Sequence, residues 1–146
     1  MASTLDEAMH IAKKEQFLAV VSTLRADGSI QSSLVNAGVL QHPLTGDEAV
    51  AFVTYGAVKL GNLRNRPQIA ISFHADWSWA TIEGAADIIG PDDPQPMIDT
   101  EQLRAILRDV FKAAGGEHDD WDQYDRTMVE QRRAAVFVTP TRIYGN

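Results

Sequence analysis

Residues 17–40 read FLAVVSTLRADGSIQSSLVNAGVL, and this stretch sets the class of the fold. Residues 17–24 are rich in Val, Leu and Phe, Ala26-Asp27-Gly28-Ser29 follows with turn chemistry, and residues 30–40 resume an extended pattern. Apolar runs on either side of an Asp-Gly pair predict a hairpin, because Gly supplies the positive φ that a tight reversal needs. Upstream, Thr4 is a candidate N-cap with Glu7 three residues on, and Leu5, Ala8, Met9 and Ala12 recur at helical spacing. A short amphipathic helix is therefore expected within residues 3–16.

Downstream, Pro43 and Gly46 break the pattern over residues 41–48 and lead into a third strand at 49–55. Residues 57–66 change character. Leu60 and Leu63 suggest a helical turn, Lys59, Arg64 and Arg66 are basic, and Pro67 closes a short basic helix. Residues 68–75 and 78–89 read as two more strands, the second alternating Ala80, Ile82, Ala85 and Ile88 imperfectly across Gly84, where a bulge is expected. After Pro91-Asp92-Asp93-Pro94, the apolar set Leu103, Ile106, Leu107, Val110 and Phe111 has helical spacing, and Gly115-Gly116 ends that helix. Trp121, Tyr124 and Met128 suggest another helix, and residues 134–139 with 141–144 a last strand interrupted by Pro140.

The expected order is thus one helix, about five β segments with the short basic helix among them, two helices and a closing strand. Without regular βαβ alternation, internal repeat or linker, residues 1–146 are expected to form a single mainly β (α+β) domain. Its expected architecture is a small antiparallel barrel with helices packed outside.

Composition narrows the chemistry. The absence of Cys removes thiolate nucleophiles, disulfides and Cys-ligated metals. Twenty acidic against thirteen basic side chains give a net charge of −7, which opposes a general role on nucleic acid or anionic lipid. Residues 1–16 lack signal-peptide features and no apolar run approaches the roughly 20 residues of a membrane span, so a cytoplasmic protein is expected.

His10, His42, His74 and His118 show no metal-ligand spacing, and each is read first as structural or solvated. The acidic group Glu117, Asp119, Asp120 and Asp122 lacks the pattern of a calcium loop and reads as a loop capping the helix at Trp121. No GxSxG, GxGxxG or GxxxxGK[ST] is present. No catalytic side chain and no metal site is expected.

Lys59 near the start of a short helix is a candidate anion site, where helix-terminal amides and an ammonium converge. The alternative is a basic helix paired with the acidic surface. Alternation puts Trp77 and Trp79 on one strand face, able to cover a planar ring or to fill the barrel, and the residues alone favour filling. Gln31, Ser32, Ser33 and Asn36 form a polar pocket wall or an exposed sheet face.

In order, the hairpin around Asp27-Gly28, VKLGNLRNRPQIAIS, WSWATIEGAADI, GEHDDWDQYDRTMV and RRAAVFVTPTRIYG cover nearly the whole chain. Together they resemble the split β-barrel flavin and deazaflavin proteins of the pyridoxamine-phosphate-oxidase-like superfamily. Within it, the chain resembles the class B F420-dependent oxidoreductases. The most specific pieces are K-x-x-N-L-x-x-x-P at 59–67, W-S-[aromatic]-A with E-G at 77–84, and W-D-x-Y followed by R-R and I-Y-G.

The resemblance implies an FMN-binding split-barrel fold and a homodimer with cofactor sites at the subunit interface. It implies that Lys59, supported by Asn62, binds the cofactor phosphate and that Thr54 supplies a hydroxyl near the phosphate or ribityl chain. It sets Gln31, Ser33, Val35 and Asn36 against the ring and brings Trp77 from the partner subunit, with Ser78 and Trp79 as neighbours. One departure is Ala57, where relatives often carry Arg; Arg64, Arg66, Arg132 and Arg133 are the candidate substitutes.

The implied activity is hydride transfer from reduced F420 to a small conjugated acceptor: an enone, a quinone or a tetrapyrrole such as biliverdin. An FMN-dependent oxidase or reductase on the same fold, or a non-catalytic flavin, haem or tetrapyrrole carrier, are the alternatives. Because the cofactor carries the redox chemistry, such a protein needs no catalytic constellation.

Overall fold

The computed structural model describes residues 2–146. Helix α1 spans Leu5–Lys14 and is followed by strands β1 (Leu18–Leu24), β2 (Ile30–Asn36), β3 (Gly38–Gln41) and β4 (Glu48–Thr54). Helix α2 (Ala57–Asn65) leads to β5 (Gln68–Ala75) and β6 (Ser78–Ile89). Helices α3 (Thr100–Ala113) and α4 (Trp121–Glu130) precede β7 (Ala134–Gly145).

The local signals act as read. Thr4 caps α1, its hydroxyl accepting from the Glu7 amide at 3.2 Å. Gly28 adopts φ +85° in the first hairpin, and the Asp27 carboxylate accepts from the Ser29 amide at 2.9 Å. At α3, Asp99 and Gln102 form a reciprocal capping box.

The strands form one antiparallel sheet in the order β2-β1-β5-β6-β7-β4-β3. Its two edge strands, β2 and β3, are consecutive in the chain and separated by Ala37 alone. A single residue cannot span a flat seven-stranded sheet, so the sheet curls until its edges meet. The result is a split β-barrel with peripheral helices.

Residues 30–40 are therefore two strands on opposite edges, where the sequence suggested one, and the chain has seven strands instead of about six. The break is held in place. The Ala37 amide donates to the Phe17 carbonyl at 3.0 Å, and Ala37 itself is fully buried. Gly38 lies against the C-terminal end of α3, where an added Cβ would stand 2.1 Å from the Ala113 carbonyl oxygen.

Two apolar clusters follow from the alternation of each strand. Val21, Phe52, Ile71, Phe73, Ile82 and Val136 fill the barrel. Ala51 and Phe137 point the other way, into a second cluster with Leu107, Val110, Tyr124 and Met128 of α3 and α4. β4 and β7 are thus covered on both faces, which is why they read as continuous apolar runs. In contrast, β1 and β2 leave one face bare. Leu18, Val20, Ile30 and Leu34 are all exposed there, Val20 directly opposite Leu34.

The irregularity expected at Gly84 lies across the ladder from it. The register shifts between Glu83 and Gly84 because their partners are Arg142 and Pro140, leaving Thr141 of β7 as the extra residue. Pro140, expected to interrupt the last strand, stands inside a continuous β7 because this bulge adjoins it. His42 is structural: its Nδ1 accepts from the Leu44 amide at 3.1 Å, and the remaining ring nitrogen lies 2.8 Å from the Asp87 carboxylate. No helix among the described residues is long and apolar enough to cross a membrane.

Gly38→Ala forces β3 and the end of α3 apart. It is expected to cost about 2 kcal/mol of unfolding free energy in urea denaturation, whereas Gly61→Ala, where an added Cβ meets nothing within 4 Å, is expected to be neutral or stabilising.

Candidate functional site

α2 packs over the barrel through Leu60 and Leu63, both buried in the inner cluster. Their polar neighbours Lys59 and Asn62 are drawn in with them, each 7% exposed. Burying a cation is expensive unless something compensates it. The Lys59 ammonium donates to the Thr54 hydroxyl at 3.4 Å and lies 5.7 Å from the centroid of the Phe52 ring. Among the described residues it has no carboxylate within ion-pairing distance. Burial pushes its pKa below the ordinary lysine value. Thr54 also accepts from the Gly56 amide at 3.3 Å, and Gly56 caps α2 without a side-chain bond, so the helix dipole adds its positive end beside the ammonium.

A second chain of polar groups runs from β2 to α2. The Gln31 side-chain carbonyl accepts from the Thr23 hydroxyl at 3.3 Å, and that hydroxyl accepts from the Asn62 amide at 3.0 Å. Arg66 donates to the Leu24 carbonyl at 2.9 Å and reaches the Asn62 side-chain oxygen at 3.5 Å. On the same face of β2 as Gln31, Ser33 has a buried hydroxyl with no hydrogen-bond partner among the described residues. Val35 completes that face and packs on the inner cluster.

Hydrogen bonds thus join Lys59 to Thr54, and Gln31 to Asn62 through Thr23, while Ser33 and Val35 share the Gln31 face of β2. Asn36 has the opposite parity and turns away; its amide donates to the Gln16 carbonyl at 2.9 Å. Ser32 also lies on the outer face, bonded to the Ser22 hydroxyl at 2.9 Å, so the expected polar wall is split between two sides of the strand. The tryptophans do not fill the barrel. Trp77 is 91% exposed because it sits in the β5–β6 turn, where Asp76 has φ +53° and strand alternation has not begun. Trp79 lies outward because Ala80 and Ile82 take the inward positions, and it meets Tyr144 edge-on at 6.0 Å. Ser78 between them is exposed.

The reading of α2 as a basic helix paired with acidic surface holds for Arg64, which grips Asp93 with two hydrogen bonds of 2.8 and 2.6 Å. It fails for Lys59. Arg132 is likewise engaged, by Asp92. Asp120 of the acidic loop caps α4, accepting from the Gln123 amide at 3.1 Å. Thr23 and Phe52 were missed as site residues. Thr23 carried a signal, as the one hydroxyl on the Ala19–Val21 face of β1; Phe52 was indistinguishable from any core aromatic.

A buried cation without a carboxylate partner and an orphaned buried hydroxyl both cost stability. The Lys59 pKa is lower in the folded chain than in the unfolded one, so the folded chain binds fewer protons and stability rises with pH through that window. Lys59→Met removes the buried charge. It is expected to raise the ligand-free melting temperature by a few degrees at neutral pH and to flatten its rise with pH below the ordinary lysine pKa, measured by scanning calorimetry.

Residues 5–145 match the pyridoxamine 5'-phosphate oxidase family. A conserved hypothetical protein from Mycobacterium tuberculosis superposes with a TM-score of 0.64 at 18% identity, covering 94% of this chain and 82% of that one. An F420 reductase superposes at 0.58 with 19% identity, covering 88% and 90%. A pyridoxamine 5'-phosphate oxidase-related, FMN-binding protein from Nostoc punctiforme superposes at 0.61 with 12% identity, covering 94% and 80%. At these identities the solved structures speak to the fold, and the family match extends over almost the whole sequence: the chain belongs to the pyridoxamine 5'-phosphate oxidase family.

Proposed function

We propose that this protein is an oxidoreductase that binds reduced F420 and passes its hydride to a small conjugated acceptor of the enone, quinone or tetrapyrrole class. The observation that carries the reading is Lys59, buried and without a counter-ion among the described residues. A phosphate-bearing cofactor would supply the missing charge. The Thr54 hydroxyl and the first-turn amides of α2 would share the phosphate, and Asn62, fixed through Thr23, would hold the helix in place. Ser33 would give its unused hydroxyl to the ring or ribityl chain, between Gln31 and Val35 on the same face. When bound, the deazaflavin supplies the hydride; the protein's part is to fix the ring and the acceptor face to face and to keep water out.

The working unit in this reading is a homodimer. The bare face of β1 and β2, with Leu18, Val20, Ile30 and Leu34 exposed and Val20 opposite Leu34, would be the surface that meets a second copy. Trp77, projecting from its turn, would then cover the cofactor bound by the other copy. Asn36, Ser78 and Trp79 face outward and would act at that seam rather than inside the barrel. The FMN-binding relative from Nostoc punctiforme keeps FMN as the second reading of the same site.

Titration with F420, followed by its fluorescence, is expected to give micromolar binding by a dimer in light scattering. Loss of the charge-assisted contact in Lys59→Met should weaken binding by about 10- to 100-fold, and Leu34→Glu should yield monomers that no longer bind. Oxidation of reduced F420 should follow with at least one of menadione, cyclohexenone and biliverdin. Tight FMN binding with none for F420 selects the FMN reading, and binding of neither overturns both.

A further inference from the structure

A cavity of about 540 Å³ lies on the other side of β4 from Lys59. Its walls are mostly apolar, with Val53, Val110, Phe111 and Met128 among them, and Asn36 and Arg133 supply polar groups. The Arg133 guanidinium lies 4.3 Å from the centroid of the Tyr55 ring. That stacking fixes its plane and leaves its edge free. The Arg133 Nε donates to the neutral Gln131 side chain at 2.7 Å. Among the described residues its terminal nitrogens form no hydrogen bond and no carboxylate pairs with it, unlike Arg64, Arg104, Arg108 and Arg132. The charge is felt inside the second cluster: burial pushes the Tyr124 phenol up to about 12, and Arg133 is the main influence opposing that rise.

The two ends of this cavity differ in kind. Phe111 and Tyr124 stack at 5.0 Å and close one end, while Val53, Val110 and Met128 line the apolar part of the cavity. Arg133 offers two parallel N–H donors of the spacing a carboxylate accepts. At the rim, Gln16 and Phe17 both take positive φ, 58° and 60°, and the Phe17 ring closes on Gly115 so tightly that an added Cβ there would lie 2.7 Å away. The strained rim and the glycine keep the mouth in one shape.

We infer that this cavity binds a small, largely apolar molecule bearing a carboxylate, with Arg133 gripping the carboxylate and the Val53, Val110 and Met128 side chains taking the apolar body. Val53 lines the cavity and its neighbour Thr54 holds Lys59, so one strand carries both sites on opposite faces. A hydride acceptor must meet the cofactor ring directly on the Lys59 side of the sheet, so this occupant is a separate ligand whose binding does not rest on the reductase reading.

Naphthoate and its neutral counterpart naphthamide are the probes, titrated into the full-length protein by calorimetry and followed by methyl shifts of Met128 and Val110. Naphthoate is expected to bind at least 10-fold more tightly than naphthamide. Arg133→Gln should erase that preference while leaving naphthamide binding unchanged, Arg133→Lys should restore part of it, and Lys59→Met should leave both affinities intact. Equal affinity for the two probes, or a preference that survives in a folded Arg133→Gln variant, overturns the assignment. Loss of naphthoate binding in Lys59→Met would place the carboxylate in the cofactor cradle and overturn it too.

Discussion

One residue joins the two edges of the sheet. Because Ala37 is all that separates β2 from β3, the seven strands must close on themselves, and the rest of the molecule follows from that closure. Curling turns the inner faces of β1, β4, β5, β6 and β7 into a common apolar interior and directs one face of β2 toward it. It also brings the end of β4 to the point where α2 must lie across the barrel. A helix seated there through Leu60 and Leu63 also buries their chain neighbours Lys59 and Asn62, so the same packing that stabilises the fold desolvates a cation and an amide. The link is itself fastened, by the Phe17 carbonyl on one side and by the close approach of Gly38 to α3 on the other.

Electrostatics then separates groups that serve the fold from groups that await a ligand. Four arginines among the described residues are matched with acids: Arg64 with Asp93, Arg132 with Asp92, Arg108 with Asp125 and Arg104 with Glu101. Lys59 and Arg133 have no carboxylate partner among the described residues, and Lys59 is distinguished from the other unpaired cations by its burial, at 7% exposed. They lie on opposite sides of β4, one against the barrel interior and one against the helical layer. Unmatched cations in apolar surroundings are costly, and such costs are characteristic of sites where binding replaces solvent.

Much of this was legible in the sequence, and the rest was hidden for identifiable reasons. Period-two alternation, the Asp27-Gly28 turn, the Thr4 cap and the spacing from Leu103 to Phe111 are local signals, and they located most elements within a residue or two. The break at Ala37 carried no turn residue strong enough to show that a continuous extended run changes edges; the closing partner, Phe17, is distant in sequence. Pro140 seemed to end a strand because its tolerance depends on Thr141 bulging against Glu83, a fact of pairing. At the site, Lys59 was legible as a basic residue early in a short helix, and its lack of a counter-ion was not. Trp77 was assigned the wrong surroundings since alternation was applied one residue before the strand begins, and Asn36 was grouped with Ser33 although the two point to opposite faces.

Lys59 is a desolvated cation, and in the proposed function an anionic cofactor supplies its counter-charge. Its side-chain amine can be titrated by NMR in the free protein and again with F420 bound. The account predicts a pKa below the ordinary lysine value when free, rising when the cofactor phosphate is present. An ordinary pKa in the free protein, or one that does not move on binding, would contradict it.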